Sequence, residues 1–228
     1  SNVQAQSITS YAYSEIAAAA SGPSHEVVIP NDPLWDRQWY LRQIKADQAW
    51  TVTTGTPDVI VAVIDVGVDI THPDIREAIW TNPREIPGDG VDNDRNGYTD
   101  DVHGWNFVTK TPSVYPLSKS RQSEDAWSHG TMVASLIGAR GNDGLGMVGV
   151  AWNVRIMPLV VLDASGGGDT QNIIQAVRYA TNMGADVINL SLAGSEEDPS
   201  LTEMIERAAG AGVVVVAAIG NDDTEKAG

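Results

Sequence analysis

Four short apolar runs rich in Val and Ile set the architecture open to this chain. They lie at residues 59–64, 154–162, 185–190 and 213–218. The spacing of apolar residues predicts helices between them, at 131–140, 171–183 and 200–210. Strands apolar on both faces and linked by helices form a parallel sheet covered on both sides. The expected class is therefore α/β: three layers, a mostly parallel buried sheet with helices on both faces. Such sheets bind ligands at the carboxyl ends of their strands. Three polar side chains fall there, Asp65, Ser191 and Asn221. The strand at 185–190 also carries Asp186 and Asn189, unusual in a buried run.

At 228 residues the chain suits one such domain. Its 14 basic against 30 acidic residues give a net charge of −16, which repels phosphate backbones and anionic lipid. Nucleic acid and membrane surfaces are thus excluded as expected partners, and cations are favoured. With no cysteine, disulfide and thiolate chemistry are excluded. Residues 1–30 read as a linker or the tail of a pro-segment. Residues 82–122, with few periodic elements and many Gly, Pro and Asp, read as a long surface insertion without a core of its own.

Asp65 closes a buried strand, and His129 opens a predicted helix in Ser128-His129-Gly130-Thr131. A buried carboxylate that accepts the Nδ1–H of a histidine fixes the tautomer a general base needs. Taken alone, an Asp at a strand end is most often a turn or cap residue and a His before a helix most often a cap neighbour. A second constellation is the acidic stretch 92–101. Asp92, Asp94 and Asn96 stand at positions 1, 3 and 5, Gly97 at 6 and the carbonyl of Tyr98 at 7, the oxygen-ligand spacing of a calcium loop. Position 12 is His103 rather than Glu, so Asp100 or Asp101 would complete it. So many carboxylates in one short loop repel one another unless a cation neutralises them.

Two motifs are set aside. Gly144-Leu145-Gly146-Met147-Val148-Gly149 spells a dinucleotide fingerprint, but it follows a helix and precedes a strand, the reverse of the required order. The sequon Asn189-Leu190-Ser191 lies in a predicted core strand.

Val63-Ile64-Asp65-Val66-Gly67, His129-Gly130-Thr131-Met132-Val133-Ala134, Asn189-Leu190-Ser191-Leu192-Ala193-Gly194 and the run from Val214 to Gly220-Asn221 occur in this order on an α/β pattern. Together they resemble the subtilisin-like serine proteases, from about Asn31 onward. The resemblance implies that Asp65 orients His129, that His129 is the general base and that Asn221 donates to the oxyanion. It further implies that an extended peptide lies between Gly166, Gly167 and Gly168 on one edge and Ser191, Leu192, Ala193 and Gly194 on the other, with Ile219 and Gly220 beside the P1 pocket. A calcium site is implied on Asp143, Leu145 and Met147, with Asp74 and Asp32 as further ligands. Other implications are a secreted protein and a pro-segment inhibitor.

The sequence departs from the pattern at Val66, where the family carries a hydroxyl residue, at Met132, at Ala193 and at Ile219, which is expected to narrow the P1 pocket. The family's Gly-Thr-Ser-Met-Ala nucleophile motif is absent from these residues. Residues 31–228 therefore read as the front two thirds of a catalytic domain, C-terminally incomplete, inactive alone and completed by a further segment or a second chain. The alternative expectation is a calcium-stabilised pseudoprotease or peptide-binding fragment. Acidic residues beside the cleft, Asp163, Asp169, Glu196, Glu197 and Asp198, imply basic side chains at outer subsites.

Overall fold

The structure is a computed structural model that describes residues 27–116, 124–194 and 197–220. Strands β1 (Ile60–Asp65), β2 (Trp105–Asn106), β3 (Arg155–Val160), β4 (Val187–Leu190) and β5 (Val214–Ala217) form one sheet in the order β2-β3-β1-β4-β5. Every pairing is parallel; Ile64 stands level with Leu159 on one side and Leu190 on the other. The helices are α1 (Trp39–Gln43), α2 (Ala46–Ala49), α3 (Glu124–Gly138), α4 (Thr170–Asn182) and α5 (Pro199–Gly210).

The chain divides into two compact units. Among the described residues, one comprises 27–29 with 40–53, and the other 30–39 with 54–220. In the smaller unit Leu41, Ala46 and Trp50 are buried, and Val28 N–H bonds the Asp47 carbonyl. The larger unit holds the sheet.

Alternation along each strand sorts the core into two layers. Ala62, Ile64, Met157, Leu159, Ile188 and Leu190 face α4 and α5, where Ile173, Ile174, Val177, Ala180, Met204 and Ala208 meet them. Val61, Val63 and Ile156 face the other way, against Ala134 of α3 and against Ile75 and Ala78. Each fully buried aliphatic side chain contributes about 1.5–3 kcal/mol. Both outer helices on the first face are capped by aspartates. Asp169 accepts from Gln171 N–H, and Asp198 accepts from Ser200 and Leu201 N–H, with Pro199 in the first turn.

Three local expectations are revised. Helix α3 begins at Glu124, so His129 sits inside the helix rather than at its start. Gly130 lies within α3, and the close approach of that helix to the end of β1 requires a glycine there. A Cβ there would stand 2.2 Å from the Gly67 carbonyl oxygen. The stretch 82–122 is tied to the core in its described part: β2 joins the sheet, and Trp105 and Phe107 are buried. Tyr98 meets Trp105 and Tyr179 edge to face, with centroids 5.1 and 5.0 Å apart. Strand β5 is the least covered strand: Val214, Val216 and Ala217 are exposed and Val215 is half-buried. Val214 and Val216 are 57% and 49% exposed, because α3 lies over β1 and β3 and leaves that side of β5 open.

Gly130→Ala should therefore destabilise the domain by about 1–3 kcal/mol, the usual range for overpacking. Its methyl group meets backbone rather than a mobile side chain. Urea unfolding of the variant checks this.

Candidate active site

The sheet order puts β1 in the centre, with β3 on one side and β4 on the other. The chain leaving β3 and the chain leaving β4 therefore flank the end of β1, and a crevice opens between them. Its volume is about 630 Å³. Val66 and His129 line it, together with Leu162, Gly166, Gly167 and Gly168 after β3 and Ser191, Leu192, Ala193 and Gly194 after β4. Thr170, Ile173, Asp198 and Leu201 complete the lining.

Asp65 is wholly buried at the end of β1. Its Oδ1 accepts the Val66 N–H at 2.7 Å. His129 Nδ1 lies 3.0 Å from Oδ1 and 2.8 Å from Oδ2. Burial pushes the Asp65 carboxyl above the ordinary carboxylate range; the His129 and Val66 bonds pull it back without cancelling that rise. The His129 side chain keeps 42% of its exposure. With Nδ1 donating to a carboxylate, Nε2 carries the free lone pair and is the basic atom.

The turn at Gly67 that lets the chain leave β1 needs glycine. Its φ is 115°, and a Cβ would lie 2.8 Å from both the Pro116 nitrogen and the Val114 carbonyl oxygen. On the far edge, Leu162 and Gly168 form an antiparallel bridge. The Asp163 carboxylate fastens that loop from within, accepting from Ser165 N–H, Ser165 hydroxyl and Gly167 N–H. Those bonds, the Ser165 hydroxyl foremost, hold it below the ordinary carboxylate range.

The structure thus brings together Asp65, His129, the three glycines and residues 191–194. Ile219, expected beside the P1 pocket, does not line the crevice; its side chain is 90% exposed. Gly220 lies close enough to Ala193 that an added Cβ would sit 3.5 Å from the alanine methyl. Asn221 lies outside the described residues, as does Glu196. Of the acidic residues expected beside the crevice, Asp198 lines it, while Asp163 and Asp169 are engaged in a turn and a helix cap. Leu162, Thr170, Ile173 and Leu201 also line the crevice, and no local motif marks them.

Two groups of carboxylates stand apart from the crevice. Asp32 and Asp74 are both buried and approach loop 142–147. Asp32 Oδ2 accepts Asn142 N–H at 2.7 Å, and Asp74 Oδ2 accepts Met147 N–H at 2.9 Å. The charge of Asp143 acts on both. Leu145 and Met147 bracket Gly146, where a Cβ would collide with the Asp74 carboxylate. The Oδ1 atoms of Asp32 and Asp74 are buried with no hydrogen-bond donor. Burial raises both carboxyls above the ordinary range, and Asp143 pushes them further the same way. Unsatisfied buried anionic oxygens cost several kcal/mol unless a cation meets them, so these residues fit a hard metal ion.

In the acidic loop, Asp92 and Asp94 converge with Glu85, each offering an oxygen within 4.8 Å of the others. Glu85 is buried and accepts from Asn93, Asp94 and Asp100 N–H. No local spacing links it to residue 92, so the sequence pattern missed it. Asn96 spans Asp92, Asp94 and Asp101. Asp100 instead accepts from Gly88 and Gly90 N–H. Asp101 is fully buried, bonded by Asn82, Asn96 and the Tyr179 hydroxyl, and the Tyr98 ring lies in the aromatic cluster.

Comparison with known proteins agrees with this layout. A family model described as the subtilase family, Peptidase S8, matches residues 56–228. The thermophilic serine proteinase of Bacillus sp. (strain AK1) is 36% identical over 194 residues, covering 85% of this chain and 41% of that protein. The halolysin-like extracellular serine protease Nep of Natrialba magadii is 29% identical over 209 residues, covering 91% of this chain and 34% of its own length. The crystal structure of fervidolysin from Fervidobacterium pennivorans, a keratinolytic enzyme related to subtilisin, superposes with a TM-score of 0.64 at 29% identity, over 86% of this chain and 26% of that one. The chain therefore spans about two fifths or less of the length of these three proteins. With a parallel sheet, an Asp–His pair at its carboxyl edge and a family match over most of its length, the chain belongs to the subtilase family of serine proteases.

Proposed function

We propose that this chain carries the general-base part of a serine endopeptidase. The observation behind the reading is the buried Asp65 bonded to Nδ1 of a half-exposed His129 at the mouth of a 630 Å³ crevice. An extended peptide lies between the edge at Gly166, Gly167 and Gly168 and the edge at Ser191, Leu192, Ala193 and Gly194, adding as a strand. A serine hydroxyl from a further segment, or from a second chain, gives its proton to His129 Nε2 as it attacks the scissile carbonyl. His129 then passes that proton to the leaving amine. Asn221 donates to the oxyanion. The segment that brings the serine also covers the open faces of β5 and α3, where Val214, Val216, Met132 and Leu136 are exposed.

Calcium is the proposed cofactor. Asp32, Asp74 and Asp143 would hold one ion at loop 142–147; Glu85, Asp92 and Asp94 would hold another. When bound, the ion supplies fixed positive charge that locks carboxylate-rich loops in place. Secretion is proposed by likeness to the extracellular relative, with a pro-segment as an inhibitory partner. Among the described residues no helix is long and apolar enough to cross a membrane.

A fluorophosphonate probe tests the reading on the longer polypeptide that contains these residues and the serine segment. Covalent labelling of that serine is expected. A folded sample that takes up no label overturns the peptidase assignment in favour of a peptide-binding domain.

A further inference from the structure

Three glycines in a row leave the edge at 166–168 with no β-carbon to limit its backbone dihedral angles. Gly166 holds a φ of 82°, and Gly168 has no room for a side chain: an added Cβ would stand 2.5 Å from Leu162 Cδ2. What fixes the run is Asp163. Its Oδ1 accepts the Gly167 N–H at 3.1 Å and the Ser165 N–H at 2.8 Å, and the Ser165 hydroxyl as well. Its own N–H donates to the Gly167 carbonyl at 2.7 Å, and its carbonyl accepts the Gly166 N–H at 3.0 Å.

Peptide planarity carries these bonds through to the crevice. The peptide units are trans, so in each the C=O and the N–H point in opposite directions. The Gly166–Gly167 unit turns its N–H inward to the Asp163 carboxylate, so the Gly166 carbonyl points out of the turn. The Gly167–Gly168 unit turns its carbonyl inward to the Asp163 N–H, so the Gly168 N–H points out as well. Leu162 agrees with this: its N–H donates to the Asp65 carbonyl rather than across its bridge to Gly168. An outward carbonyl and an outward N–H two residues further on are what a strand edge offers to an added strand. Both residues line the crevice.

We propose that Asp163 is a positioning residue for substrate: its carboxylate locks the Gly166–Gly167 peptide unit so that the Gly166 carbonyl, beside the Gly168 N–H, receives the backbone of an extended peptide. The inference rests on the peptidase reading of the crevice. Without the carboxylate the Gly167 N–H loses its acceptor in the turn, and a unit between two glycines turns over easily. The Gly166 carbonyl then faces the crevice only part of the time. That loss weakens the grip on the peptide chain and leaves Asp65 and His129 untouched, so it falls on KM rather than on kcat.

Asp163→Ala removes the acceptor, and Asp163→Asn keeps an oxygen in its place. Both are read in the longer polypeptide that includes the serine segment. The first readout is amide exchange at Gly167, which does not depend on cleavage. In Asp163→Ala it should quicken about fivefold, the factor that one hydrogen bond supplies, and in Asp163→Asn it should stay within about twofold of the parent. The second readout is cleavage of a blocked tetrapeptide anilide, compared with a single-residue ester that ends short of the edge. For the tetrapeptide, KM should rise about fivefold in Asp163→Ala with kcat unchanged. For the ester neither constant should move, and Asp163→Asn should recover the tetrapeptide KM. A folded Asp163→Ala that keeps its KM for the tetrapeptide, or that loses the same factor on both substrates, overturns the assignment. Should that variant melt too low to assay, Asp163→Glu, which carries its carboxylate one methylene further out, is read by the same rule. In a protein that cleaves neither substrate the peptidase reading fails. The assignment of Asp163 then stands if the intact tetrapeptide binds Asp163→Ala about fivefold more weakly, and falls if its Kd is unchanged.

Discussion

Asp65→Asn is expected to lower kcat of the complete enzyme about 10⁴-fold without lowering its melting temperature. An amide at position 65 can turn its NH2 towards Nδ1 of His129. The imidazole then accepts there and carries its proton on Nε2, the wrong tautomer for a base. Alternatively it turns its oxygen, and the imidazolium that forms during attack has no counter-charge. Stability should hold because the negative charge is not what secures this site: burial raises the Asp65 carboxyl, so the folded protein disfavours the charged form more than the hydrogen bonds reward it. His129→Ala should lose a similar factor. The double variant should be little worse than either single one, because the two residues act as one unit at 2.8 Å. Steady-state kinetics on a chromogenic peptide, with thermal melting of each variant, measure both halves of this expectation. An Asp65→Asn enzyme that keeps a tenth of its activity would mean that some other group orients the base.

The sheet was legible because burial on both faces forces long β-branched runs. The strands at 155–160, 187–190 and 214–217 fall inside runs that the sequence marks out, and the strand at 60–65 follows the run 59–64 and ends on Asp65. The Asp–His contact was also legible, through the chemistry at a strand end and the motifs around it. What escaped has a common cause: long-range contact overrode local signals. Helix α3 runs through Gly130 although its propensity argues against helix, and the approach to the end of β1 leaves no room there for a Cβ. Strand β2 has only two residues, and what fixes it is burial of Trp105 and Phe107 beside Tyr98 and Tyr179, far from any periodic pattern. Asp186, odd in an apolar run, accepts the Ile60 N–H and so ties the start of β1 to the start of β4. Asn189 donates to the Ser191 hydroxyl at the crevice. Glu85 could not be found by spacing at all, because it reaches the acidic loop from outside it.

Removing calcium should lower the melting temperature by about 5–10 °C. That is the shift for an ion present at about a hundred times its Kd, worth about 2.7 kcal/mol, in a domain of this size. The pH dependence separates a metal effect from simple acid sensitivity. In chelator, Asp32 and Asp74 have carboxyls raised above the ordinary value of 3.8 by burial. A carboxyl raised in the folded state binds protons more tightly there than in the unfolded chain. Its stabilising contribution is therefore complete below the unfolded value and is lost as the pH rises through the folded one. The chelated protein should melt higher as the pH falls from 7 towards the carboxylate range. With calcium the slope reverses, since protons then compete with the ion for the same oxygens. Asp74→Asn should act in opposite directions in the two buffers. It removes an unneutralised buried charge and raises the chelated melting temperature, while it shrinks the increment that calcium provides. Glu85→Gln should reduce the calcium increment without the rise in chelator, because its carboxylate is already satisfied by three backbone N–H groups. Differential scanning calorimetry of the three proteins, with and without calcium across this pH range, measures every sign. An Asp74→Asn variant that keeps the full calcium increment would remove loop 142–147 as a metal site.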